Sequence, residues 1–98
     1  MSKIVEITRL RVRPERAHAF EANIADYARL LSAGEGCLGL QMGAVEGERL
    51  HYISEVTRRT VESHDLWHAS EAGRELQARR RPERAALRYR HWEGLPVG

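Results

Sequence analysis

Cysteine is nearly absent: Cys37 is the only one in 98 residues, so no disulfide can form within the chain. Lysine is just as scarce. Lys3 is the only lysine among 16 basic residues, and the remaining arginines are the ordinary filler of solvated faces. Aromatic residues make up 6% of the chain, and no apolar run approaches the length that spans a bilayer. Met1-Ser2-Lys3-Ile4-Val5-Glu6 holds no apolar targeting segment, so a soluble, cytoplasmic protein with no membrane partner is expected. The formal net charge of +2 is too small, and the basic run too poor in interleaved aromatics, for a nucleic-acid partner. There is no Gly/Ser linker and no repeat, so residues 1–98 read as a single domain. With 42% hydrophobic residues it can build a modest core and would gain from burying more surface in an oligomer.

Residues 3–12 (KIVEITRLRV) combine β-branched and aliphatic residues with interleaved charges and predict a strand. Pro14 suits the first turn of a helix, along which Ala17, Phe20, Ile24, Tyr27 and Leu31 form one apolar stripe. Gly34 and Gly36 stop it. Leu38, Leu40, Met42 and Ala44 then alternate with Gly39, Gln41 and Gly43 as a second strand. Glu46-Gly47-Glu48 makes a turn into a third strand over 49–57, with Leu50, Tyr52, Ser54 and Val56 on one face and His51, Ile53, Glu55 and Thr57 on the other. Thr60 and Ser70 can each cap a helix, with Gly73 a weak point and Pro82 the stop, and 85–92 close as a last strand. The order β-α-β-β-α-β is the ferredoxin-like split βαβ of the α+β class, with helices on one face of an antiparallel sheet. Its other face needs a partner.

This layout, with Pro14 before a long helix, Gly36-Cys37-Leu38-Gly39 after it and Ala69-Ser70 within the later helices, resembles the antibiotic biosynthesis monooxygenase family from about Ile4 to Trp92. The resemblance implies a homodimeric α/β barrel, its sheets packed face to face with Tyr89 to Trp92 at the interface, and a cavity between sheet and helices. It also implies oxygenation of a hydrophobic aromatic (quinol, anthrone or polyketide type) by O₂ with no metal or flavin, the substrate itself being ionised to reduce oxygen. One branch of the family degrades heme instead, and a binding protein that kept the cavity without the chemistry is a third reading. Where the anthrone-oxidising branch carries Asn, Trp and Tyr, this chain has Ile53, Thr57 and Ser63. Against the heme branch, Trp67 matches, Thr8 replaces an Asn, and Gln77 or its neighbours replace the His ligand.

His64, Trp67 and His68 lie at i, i+3 and i+4 and form the densest chemical cluster. Two such imidazoles with neither a third ligand nor an HExxH pattern predict no metal site, so His64 or His68 is the candidate general base. Trp67 is a candidate stacking surface for a planar substrate or a lid on the core. Tyr27, Tyr52 and His51 are further candidates to line the cavity, although Tyr52 and His51 occupy opposite faces of one strand. Gly73 stands where family members carry an aromatic, which implies an open end to the pocket. Arg79-Arg80-Arg81-Pro82-Glu83-Arg84 reads as a solvated connector, with the gathering of an anionic ligand such as heme propionates or a phosphate as the alternative, and Cys37 as buried and inert.

Overall fold

The computed structural model describes residues 3–93, with side chains described through Arg84; those of Tyr89 to Trp92 lie outside the described residues. Four strands, β1 (Ile4–Val12), β2 (Cys37–Ala44), β3 (His51–Arg58) and β4 (Arg84–Glu93), form one sheet in the order β2-β3-β1-β4. All neighbours pair antiparallel. Each βαβ half therefore has a strand of the other half inserted between its own two, which is the ferredoxin-like fold.

The apolar stripe predicted after Pro14 exists, but the helix is broken. A 3₁₀ turn (Pro14–Arg16) leads into α1 (Ala17–Ala22), and α2 (Ile24–Leu31) follows Asn23. The Asn23 side-chain amide donates to Ala19 O at 2.9 Å, the carbonyl that its own backbone N–H also reaches at 3.2 Å. This local competition for a helix carbonyl marks the break. Phe20, Tyr27, Leu30 and Leu31 stay buried on either side of it.

Two sequence expectations for the strands need correction. A bulge at Cys37–Gly39 turns Cys37, Leu40 and Met42 toward the core and leaves Leu38 46% exposed, so the alternation starting at Leu38 slips by a residue. Strand β3 begins at His51 because Leu50 has φ 64°, a left-handed conformation incompatible with the strand. Gly36 is required twice over: its φ is +87°, and a Cβ there would lie 2.5 Å from Ser63 Oγ.

Thr60 caps α3 (Val61–Ala69), its Oγ1 accepting from Ser63 N at 3.0 Å, and Ser70 caps α4 (Glu71–Arg80), its Oγ accepting from Gly73 N at 3.2 Å. Helix α4 runs through Gly73 without interruption, so the expected weak point is absent. The helices cover one sheet face, over a core that includes Leu10, Val12, Phe20, Tyr27, Leu31, Val56, Trp67 and Leu76. On that face β1 presents Ile4, Glu6, Thr8, Leu10 and Val12, and Ser54 lies directly opposite Thr8 on β3. Val5, Ile7 and Arg9 with Ile53, Glu55 and Thr57 occupy the open face. Among the described residues no helix is long and apolar enough to cross a membrane.

Candidate functional site

Between the sheet and the first helices lies a two-part cavity. The outer cleft has a volume of about 350 Å³ and is walled by Phe20, Ile24, Met42 and Tyr52, with Glu21 at its rim. Phe20 and Tyr52 stack with ring centroids 4.6 Å apart, so one wall is a continuous aromatic surface. Sites for small organic ligands usually fall between about 300 and 1,000 Å³, so the cleft can take a ring system. A narrow inner arm continues past Tyr27 and Leu10 to Thr8, Ser54 and Arg80, with a volume of about 20 Å³. That is room for about one water-sized group. Rings fit outside; a single oxygen fits inside.

The inner arm carries a cation. Arg80 is the last residue of α4 and falls four after Leu76 and seven after Gly73, the buried stripe of that helix. Its Nε is buried without a hydrogen-bond partner among the described residues. Burial pushes the Arg80 pKa down, Glu6 pulls it back up, and Arg84 adds to the lowering. A guanidinium still keeps its charge under any ordinary condition. The expectation of a wholly solvated Arg run is thus corrected. Arg81 is exposed and Arg79 pairs with Asp26 at 3.4 Å, whereas Arg80 turns inward because helical phase places it beneath the sheet-facing stripe.

Tyr27 and Tyr52 both line the cavity, and both hydroxyls are committed. Tyr27 donates to Glu83, a buried carboxyl whose pKa is raised by its own desolvation against the opposing pull of Arg16. Tyr52 donates to Glu21 Oε1 at 2.9 Å, and burial followed by this contact raises the phenol pKa. Tyr52 therefore holds its proton firmly.

The other candidates sit elsewhere. His64, Trp67 and His68 do meet, with ring centroids 6.1 to 6.5 Å apart, but none lines the cavity. His64 is buried with Nε2 3.6 Å from Glu6 Oε2, while His68 is exposed, Nδ1 3.4 Å from Gln77 Nε2. Trp67 is a core residue whose Nε1 donates to Leu30 O at 2.8 Å under the Arg58 guanidinium, 4.6 Å above the ring. His51 faces the open side of the sheet, 3.8 Å from Glu48. Gly73 opens no pocket, since a Cβ there would lie 2.3 Å from Trp67 O. Among the described residues no three His, Cys, Asp or Glu side chains converge on a common point.

Sequence reasoning missed Arg80, Thr8, Ser54, Phe20, Met42 and Glu21 as cavity residues. A signal existed for three of them: Thr8 and Ser54 interrupt the apolar face of their strands, and Arg80 continues the buried phase of α4.

No curated protein matches the sequence. Among solved structures, the cofactor-independent oxygenase SnoaB from Streptomyces nogalater is 11% identical and superposes with a TM-score of 0.83 over 99% of this chain and 97% of its own. A candidate antibiotic biosynthesis monooxygenase from Caulobacter crescentus is 21% identical, with a TM-score of 0.85 over 97% and 92% of the two chains. A dimeric ferredoxin-like protein from Thermobifida fusca is 14% identical, with a TM-score of 0.82 over 94% and 91%. These likenesses concern the fold. The family model for antibiotic biosynthesis monooxygenases matches residues 3–79, more than half of the sequence, and the chain therefore belongs to the antibiotic biosynthesis monooxygenase family.

Proposed function

We propose that the protein is a homodimeric oxygenase that ionises a hydrophobic aromatic of the quinol, anthrone or polyketide type and lets it react with O₂, using no resident cofactor. The observation that carries this reading is the half-buried Arg80 in the inner arm of an aromatic-walled cleft, its Nε buried with no hydrogen-bond partner among the described residues. A planar substrate lies against Phe20 and Tyr52, and its acidic or carbonyl oxygen enters the inner arm toward Arg80, Thr8 and Ser54. A fixed cation aimed at a developing oxyanion stabilises it most where water is excluded. The substrate anion is then electron-rich enough to reduce O₂, and for a methylene centre CH₂ and O₂ become C=O and H₂O. Membership of the family and the fold shared with SnoaB, a cofactor-independent oxygenase, support the same chemistry.

Heme fits less well. An iron ligand must be directed into the cavity, and His64 is instead held against Glu6 while His68 is on the outer surface. Val5, Ile7 and Ile53 on the open sheet face supply apolar surface for a second copy, and the Thermobifida fusca relative is dimeric.

Oxygen uptake with anthrones and aromatic quinols is expected to exceed a protein-free blank, and light scattering to give about twice the chain mass. Measurable binding with uptake equal to the blank for every compound would reassign the protein as a non-catalytic binder.

A further inference from the structure

We propose that Tyr52 and Glu21 form the proton-accepting pair of the cavity, Tyr52 taking the proton from the ligand and Glu21 taking the proton that Tyr52 gives up. The role rests on the oxygenase reading, and it adds the partner that reading lacks: Arg80 can stabilise an anion but cannot generate one. The two imidazoles offered by the sequence do not reach the cavity.

Tyr52 and Glu21 do reach it, both at the outer cleft, with the hydroxyl donating to Oε1 at 2.9 Å. A phenol that donates its only hydrogen to a carboxylate turns the lone pairs of its oxygen toward whatever lies in the cleft. It then accepts from a ligand hydroxyl or acidic C–H. Because the Tyr52 proton is tightly held, the phenol cannot wait as a phenolate; it accepts a proton only as it releases its own. The step balances: the ligand C–H or O–H bond breaks, Tyr52 Oη gains that proton, the original Tyr52 proton forms an O–H bond on Glu21, and the ligand keeps the electron pair. Glu21 is exposed at the rim and passes its proton to water. Among the described residues, the remaining titratable groups on the cavity are Tyr27, committed to Glu83, and Arg80; β2 contributes only Met42, Gly43 and Ala44.

The arrangement also selects a ligand. The cavity has an acceptor near its mouth and a half-buried cation in its inner arm, so it fits a planar aromatic with an acidic hydrogen on one side and a carbonyl or phenolic oxygen on the other.

The test uses anthrone in deuterated buffer under nitrogen, with exchange of its methylene hydrogens followed by proton NMR. Proton abstraction is read without any oxygen chemistry. The wild-type protein should exchange faster than buffer. Glu21→Gln keeps an acceptor for the Tyr52 hydroxyl but cannot take its proton, so it should lose about 10² to 10⁴ in kcat with KM unchanged. Tyr52→Phe keeps the stack on Phe20 and should lose as much, and the double variant no more than either single change. Wild-type exchange at the buffer rate, or single variants that exchange like wild type, would overturn the pair. Admitting air separates the two ideas. Exchange without oxygen uptake retains the pair and removes the oxygenase, and uptake insensitive to both substitutions does the reverse.

Discussion

The indole N–H of Trp67 donates to the carbonyl of Leu30 at 2.8 Å, tying α3 to the last turn of α2. Arg58 completes the tie, its guanidinium lying over the same ring and donating to the carbonyls of Leu31 and Ala33. Burial lowers the Arg58 pKa, yet its charge faces the negative end of the helix, where a cation is favoured. Carbonyls that α2 cannot satisfy internally are thus covered by residues from two other elements. Trp67→Phe should keep most of the apolar contact and remove one of the donors to Leu30 O, which keeps the N–H of Ala33 at 3.4 Å, lowering stability by about 0.5 to 1.5 kcal/mol. Ligand affinity per folded molecule should not change, since Trp67 is absent from the cavity wall. Urea denaturation paired with a binding titration checks both halves.

Arg80→Met should separate stability from activity. Removing a desolvated cation with an unpaired Nε relieves a folding cost, so the melting temperature should hold or rise. Oxygen uptake should fall by about 10² to 10³, the usual loss when one oxyanion donor is removed. A variant that melts lower and oxidises normally would make Arg80 a structural residue.

Glu83→Gln should alter how stability depends on pH. Burial holds the Glu83 carboxyl above its ordinary value of about 4.3, so the folded chain keeps a proton that the unfolded chain has already released. Its contribution is complete below that ordinary value and is lost as pH rises through the raised one. Glutamine still accepts from Tyr27 and does not ionise. The urea midpoint of the variant should therefore gain on wild type as pH rises from about 4 into that window. A constant difference across the range would show that folding leaves the carboxyl's titration unmoved.

Gly73→Ala tests close packing of two helices. Alanine is the better helix former by about 1 kcal/mol. Here its Cβ would meet Trp67 O at 2.3 Å and His68 O at 2.9 Å, and backbone atoms cannot swing aside as a side chain can. The clash should win, at about 1 to 3 kcal/mol, seen as a lower melting temperature. A stabilised variant would mean that α3 and α4 slide apart freely.

The fold was readable because its punctuation is local. Pro14, Gly34, Thr60, Ser70 and Pro82 each act on the residues beside them, and the element order follows. Errors came where a side chain competes with the backbone, as at Asn23, or where φ turns positive without glycine, as at Leu50. The site was readable only in its aromatic wall, because Tyr27 and Tyr52 lie on apolar faces whose period shows in the sequence. Arg80 was hidden by Arg79 and Arg81: three identical neighbours disguise which one a helix turns inward. The proximity of His64, Trp67 and His68 was correctly read from helical spacing. Their distance from the cleft depends on how α3 packs against α2 and β3, which spacing along one helix does not encode.

Strand β1 is an inner strand of the sheet, and its partners arrive late in the chain. Ile4 pairs with Arg58 on one side and with Glu93 on the other. No contiguous stretch of sequence can build the middle of this sheet, and closing such distant contacts costs loop entropy before any burial repays it. Thr8 and Ser54, the floor of the inner arm, face each other only once the first of these long loops has closed. A nascent chain released before β3 thus has helices that can begin to form and no binding cavity, so ligand can reward only molecules that have completed the long-range pairing.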